Sequence, residues 1–303
     1  MRGRVTRPRD PRWPKHLWLM QTGLCTALLI LAALTSTNGQ TIIFSRGQNI
    51  APSFEGWEQN PDGTFNLVFG YMNRNMDEKV HVPVGPDNTL EPGDVDQGQP
   101  TYFMPRRNRY VFRIKVPSDF GDKEIVWTLT SHGKTEKAYA SLRPDYVIDD
   151  LLMMKDIGGL GVKEIERQNR PPVLTIEGNT HRTVRVGSPL TLSAMATDDG
   201  IPEPKPTASR TPVNYNAWGL RVAWFVYRGS GDEVTFAPEQ FKVYTDYRGN
   251  SPWTPGWEAP PLPSDGRFPV TAIFAQPGTY VVRVMAHDGG LITNKDITVT
   301  VEG

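Results

Sequence analysis

Cysteine is the first scarcity in this sequence. The one cysteine of 303 residues, Cys25, lies in an apolar segment near the start of the chain. Beyond that segment there is no thiol for a disulfide, a Cys-x-x-Cys metal knuckle, a haem attachment or a nucleophile. A domain built from the rest must therefore rely on its apolar core. Histidine is thin as well. His81, His132, His181 and His287 stand apart, with no His-x-His and no His-Glu-x-x-His, so no transition-metal pattern is present. Net charge is missing: 33 basic side chains balance 33 acidic ones, which removes the overall positive field that nucleic-acid binding uses. Gly-x-Ser-x-Gly, Gly-x-Gly-x-x-Gly and Walker-type loops are absent too, and with them the usual marks of hydrolases and nucleotide binders.

What is present begins with an asymmetry. Residues 1–16 hold Arg2, Arg4, Arg7, Arg9, Arg12 and Lys15 against Asp10 alone, and an apolar stretch follows from Leu17 to Leu34. A basic start, a short greasy centre and then small polar residues make a secretory signal. Cleavage near Gly39 is the expectation; the alternative is an uncleaved anchor, since 18 residues can just span a bilayer. Cys25 is a poor lipid-attachment site, because Leu24 precedes it and the greasy run follows it. Removing residues 1–39 leaves 27 basic and 32 acidic side chains, a mildly acidic chain.

Aromatics at 10%, with Gly 28 and Pro 27, suit a turn-rich β protein. Apolar residues alternate with period two over Phe65–Tyr71, Tyr110–Val116 and Glu124–Thr130, with a fourth candidate strand at Lys137–Leu142. Asn60-Pro-Asp-Gly63 and Ser131-His-Gly-Lys134 read as turns. Residues 73–105 are rich in proline and have little periodicity. A loop of that length is either functional or hides a strand, and His81–Val84 is a candidate edge. Residues 151–171, with three glycines within four residues, read as a flexible linker. Strands return at Thr183–Val186, Leu190–Ala196, Leu220–Tyr227, Tyr280–Ala286 and Ile297–Val301, with Trp224 central. On the Tyr280 strand His287 falls in the outward phase and is expected at the surface.

Asn169-Arg-Pro-Pro-Val173, Ala196-Thr-Asp-Asp-Gly-Ile-Pro202, Val222-Ala-Trp224, Pro277-Gly-Thr-Tyr280 and Ala286-His-Asp-Gly-Gly290 come in the order seen in PKD-like domains, which residues 170–303 resemble. The resemblance implies an immunoglobulin-like sandwich of the kind common in exported and surface proteins, and it implies no chemistry. It departs from the pattern in longer, proline-rich loops at 201–217 and 246–267. The N-terminal part is similar to secreted bacterial proteins of unknown function.

Calcium is the one cofactor the residues admit. Asp198, Asp199 and Asp288 fall at strand ends that such a sandwich brings near one another, and calcium wants hard oxygen ligands on loops. The competing reading is that all three merely form turns. Asp94-Val-Asp96 with Gly98 resembles the opening of an EF-hand, but the closing glutamate position is Pro105, which rejects it. Trp253 and Trp257 sit in a proline-stiffened loop and are candidates for stacking on a sugar or anchoring a partner, against packing over the sandwich edge. Met104-Pro-Arg-Arg-Asn-Arg109 is a basic cluster suited to an acidic polysaccharide or, more simply, to solvent.

The sequence thus points to an all-β protein: a signal segment at 1–39, a first antiparallel sandwich at 40–150, a linker at 151–171 and a PKD-like sandwich at 172–303. The expected role is a non-enzymatic binding or structural module, secreted, periplasmic or at the cell surface. Its partner would be an extracellular protein or polysaccharide, with no nucleic acid and no membrane after cleavage. The alternatives are a carbohydrate-binding protein using Trp253 and Trp257, and an extracellular hydrolase.

Overall fold

Alternating burial makes the strands that the sequence marks, and several that it hides. The computed structural model describes residues 44–154, 164–204, 219–240 and 261–303. The first sandwich is built from β1 (Ile50–Gln59), β2 (Phe65–Asn73), β3 (Val80–His81), β4 (Asn88–Glu91), β5 (Tyr102–Phe103), β6 (Arg106–Val116), β7 (Ile125–Ser131) and β8 (Lys134–Ala140). Two antiparallel sheets, β1-β2-β6 and β4-β7-β8, are joined by the small pair β3-β5. Leu67, Phe69, Phe112 and Ile114 from the first sheet meet Leu90, Trp127 and Leu129 from the second in one core. Phe69 stacks on Phe112 with centroids 5.2 Å apart, and the Trp127 ring meets both edge-on.

β1 does not alternate cleanly because it is bulged. The register slips between Phe54 and Gly56, and Gly56 takes φ of 140°, where a Cβ would enter Ile148 and the Tyr146 carbonyl. The proline-rich segment 73–105 holds β3, β4 and β5 and is tied down by buried amides. Asn88 donates to the carbonyls of Val82 and Pro100, and its own Oδ1 accepts the Trp127 indole N–H at 2.9 Å. Asn73 and Gln99 serve the carbonyls of Phe103 and Val95 in the same way. Side-chain amides here replace the ladder bonds that a regular strand would supply.

The second sandwich consists of β9 (Val173–Ile176), β10 (His181–Arg185), β11 (Pro189–Thr197), β12 (Arg221–Arg228), β13 (Val234–Ala237), β14 (Arg267–Phe274), β15 (Gly278–His287) and β16 (Ile292–Glu302). One sheet has the order β9-β11-β14-β13, the other β10-β16-β15-β12, with β10 parallel to β16 and every other pair antiparallel. Lettered from the N-terminal end, these are A-B-E-D facing A′-G-F-C, the arrangement of an immunoglobulin-like β-sandwich. Trp224 lies at its centre and donates its indole N–H across the sandwich to the Phe268 carbonyl at 3.1 Å.

The flanks of the connecting segment are structured, and one sequence reading changes. The connecting region carries a short helix, α1 (Asp150–Met154), and a 3-10 turn at Ile165–Gln168, with Glu166 and Asn169 buried, so these stretches have defined structure. His287 is not a surface residue: it is 4% exposed. The outward phase of β12 and β15 meets the first sandwich at Tyr227 and Arg283, and Ala223, Phe225 and Met285 in the same phase are buried as well. All described residues belong to one compact unit, Ile43–Gly303. Among them no helix is long and apolar enough to cross a membrane. The signal segment lies outside the described residues.

Candidate functional site

The contact between the sandwiches joins a loop of the first to the outer face of the second. The Thr101 N–H donates to the Tyr227 carbonyl, and the Gly229 N–H donates to the Thr101 hydroxyl at 2.9 Å. Tyr227 donates its hydroxyl to the Gly98 carbonyl at 2.6 Å, and Arg228 Nε donates to the Gln99 carbonyl at 2.8 Å. The Arg228 guanidinium then grips Asp96 with both oxygens, at 2.9 and 2.7 Å, and this pairing holds the Asp96 carboxyl below its usual range. Asp96 is thereby committed to an arginine 132 residues away. Tyr102 donates to Asp232 at 2.8 Å, and its ring lies against Gly231, where any Cβ would overlap it.

Arg283 is the buried centre of this contact. It forms a two-pronged pair with Asp296 at 2.7 and 2.8 Å, donates to the Val111 carbonyl at 2.9 Å, and lies 3.5 Å over the Tyr227 ring. Burial opposes its charge, but Tyr227 and Asp296 outweigh burial and hold its pKa above the ordinary value. Burial also pushes the Tyr227 hydroxyl up to about 12, so it remains a donor.

The three aspartates singled out by the sequence lie at the end of the second sandwich where the connecting segment arrives. Asp288 is fully buried, and its Oδ1 accepts the N–H groups of Gly290 and Leu291, the latter at 2.6 Å. His287 Nδ1 accepts the Gly289 N–H at 2.7 Å, so the His-Asp-Gly-Gly stretch does form the β15–β16 turn. Asp199 accepts the N–H of Ile201 through Oδ1 and that of Arg170 through Oδ2 at 3.1 Å, which fastens the connecting segment to the β11 end. Asp198 accepts the Gly200 N–H through Oδ2. Burial pushes the Asp288 carboxyl up to about 6, backbone N–H groups and Asn169 oppose that, and Asp198 adds to it. Asp198 and Asp288 therefore feel each other, with Asn169 beside Asp288. Among the described residues no group of three or more His, Cys, Asp or Glu stands ready to hold a metal ion.

The opposite sheet of the second sandwich faces outward. Val173, Met195 and Ile273 are 65%, 41% and 39% exposed, and threonines fill much of the surface between them. Among these outward strand positions Arg267 alone is charged, and it pairs with Glu177 at 3.0 Å. The basic run near Met104 is partly spent: Arg107 pairs with the largely buried Glu55 at 2.7 Å, and Asn108 caps the carbonyls of Met104, Pro105 and Arg106. Trp253 and Trp257 lie outside the described residues.

No protein-family model matches the chain, and no curated protein matches it. Solved structures do resemble it distantly. A chimeric titin Z1Z2 carrying a decorin peptide is 14% identical over 44% of this chain and 96% of its own, with a TM-score of 0.24. The D00-D0 domain of intimin is 11% identical over 83% and 100%, with a TM-score of 0.24. The adhesin InvE of Yersinia pseudotuberculosis is 10% identical over 84% of this chain, which spans 58% of that one, with a TM-score of 0.22. Likeness at this level bears on neither partner nor activity.

Proposed function

We propose that this chain is an exported, non-enzymatic binding and structural module of the cell envelope or exterior, its second sandwich PKD-like. The observation that carries this reading is the division of labour between the two sheets of that sandwich. One sheet is spent on the first sandwich through Arg283, Tyr227 and Arg228. The other presents a charge-poor, threonine-rich face around Met195 and Ile273. Such a face suits an extracellular protein or polysaccharide, which a rigid scaffold would present to solvent.

Retention of the purified chain on a panel of insoluble polysaccharides and immobilised cell-surface protein tests this. The parent is expected to be retained by one class of ligand. A Met195→Glu, Ile273→Glu double variant is expected to lose at least about tenfold in affinity with little change in melting temperature, since both positions are exposed. Retention unchanged in the variant would move binding off this face, and release of new reducing ends from a polysaccharide would overturn the non-enzymatic reading.

A further inference from the structure

We propose that the free edge of β6, with the cleft beside it, takes an added strand: an extended, acidic segment of a partner protein. β6 ends its sheet, whose order is β1-β2-β6, so among the described residues one edge of it has no neighbouring strand. A cleft of about 470 Å³ lies there, walled by Val111, Phe112 and Arg113 of β6 and by Arg283, Asn294 and Asp296 of the second sandwich. That volume falls within the range of about 300–1,000 Å³ of ligand-binding clefts. Phe112 spends its ring on Phe69 and Trp127 in the core, and the Val111 carbonyl points across to Arg283. β6 thus meets the cleft with its main chain, and its edge groups recur every second residue, at Arg113 and Lys115 after Val111. An open edge of this kind is completed by a further strand.

Two observations say what that strand carries. Asn294 stands in the outward phase of β16 with Asp296 and Thr298, and its Oδ1 is buried without a hydrogen-bond donor. A side chain with an O–H to give, such as threonine, satisfies it. The second observation is charge. β6 carries Arg106, Arg107, Arg109, Arg113 and Lys115 and no acid. The acids that meet its two exposed cations, Glu58 for Arg113 and Asp62 for Lys115, come from β1 and the turn after it, beyond β2 in the sheet. A strand on the free edge therefore has Arg113 and Lys115 as its nearest charged neighbours, with N–H groups to spare. Asp296, the one acid in the cleft wall, is already paired with Arg283. Glutamate or aspartate fits this edge, whereas a second copy of β6 would set cation against cation.

Fluorescence anisotropy of a labelled octapeptide of alternating threonine and glutamate, titrated with the purified chain, tests this. Saturable binding is expected. It is expected to be at least about tenfold weaker for the threonine–lysine counterpart, and for an Arg113→Glu, Lys115→Glu variant, which alters exposed positions only. Asn294→Val is expected to weaken it about fivefold. In an added strand only alternate N–H groups face β6. N-methylation of every threonine amide, or of every glutamate amide, is therefore expected to abolish binding in one peptide and spare it in the other. The Met195→Glu, Ile273→Glu variant is expected to bind the peptide as the parent does, because this edge is separate from the threonine-rich face. No saturable binding, equal binding of the acidic and basic peptides, unchanged binding by the Arg113→Glu, Lys115→Glu variant, or equal effects of the two methylations would overturn the proposal.

Discussion

Arg283→Met is expected to lower the melting temperature of the purified chain by roughly 8 °C, the largest loss of any single contact between the sandwiches. The substitution keeps most of the volume over the Tyr227 ring but strips the Val111 carbonyl of its donor and Asp296 of its partner. Breaking a fully buried pair costs 3–5 kcal/mol, and Asp296 is 40% exposed, so the lower end, about 3 kcal/mol, applies. Asp296→Asn is expected to cost only about 1 kcal/mol, since it retains an acceptor near water. Equal losses for the two variants would show that Arg283 acts through Asp296 alone and not as the bridge to β6. Thermal unfolding followed by circular dichroism separates these outcomes.

Asp288→Asn is expected to stabilise the chain at pH 7, by an amount of similar size and opposite sign. The Asp288 carboxyl is pushed up by burial from 3.8 to about 6, so between those values the native state holds a proton that the unfolded chain releases. Stability from this group therefore falls as pH rises from about 4 to about 6, and by pH 7 the cost is about 3 kcal/mol. Asparagine removes the cost and keeps an oxygen for Gly290 and Leu291. The gain is expected to be greatest at pH 7 and to vanish near pH 4. His287 works the other way. Burial, with Arg221 nearby, holds its pKa well below 6.5, so below pH 6.5 the unfolded chain takes up a proton that the native chain refuses. The two neighbours oppose each other in the parent between about pH 4 and 6, and the variant is left with the histidine slope alone. Melting temperatures from pH 4 to 8 check both signs. A variant no more stable than the parent at pH 7 would mean that the hydrogen bonds from Gly290, Leu291 and Asn169 already compensate the Asp288 charge in the native state.

These effects converge on residues whose partners the sequence does not announce. Strands whose two faces meet different surroundings were legible: Tyr110–Val116 and Leu190–Ala196 alternate because one side is core. β1 was not, since Pro52 and Gly56 break its period and its bulge resets the phase. β3, β4 and β5 were hidden for a different reason. Buried Asn73, Asn88 and Gln99 look like loop residues, and only their bonds to backbone carbonyls reveal a packed segment. The face against the first sandwich had one overlooked signal. Val222–Tyr227 is apolar without a break, as a strand covered on both faces must be. Arg283 and His287, in the same phase on β15, read as solvent-facing because arginine and histidine usually are. The Asp96–Arg228 pair was beyond reach, being two charges set by packing across the chain. The turn role of Asp288 was legible from Asp-Gly-Gly, but the hydrogen bond it receives from Asn169 was not.

Scanning calorimetry of the purified chain is the most direct test that the two sandwiches act as one body. With the Arg228–Asp96 clamp and the Arg283 bridge intact, one cooperative transition is expected, its calorimetric and van't Hoff enthalpies equal. Two separable transitions in the parent, one for each sandwich, would contradict it.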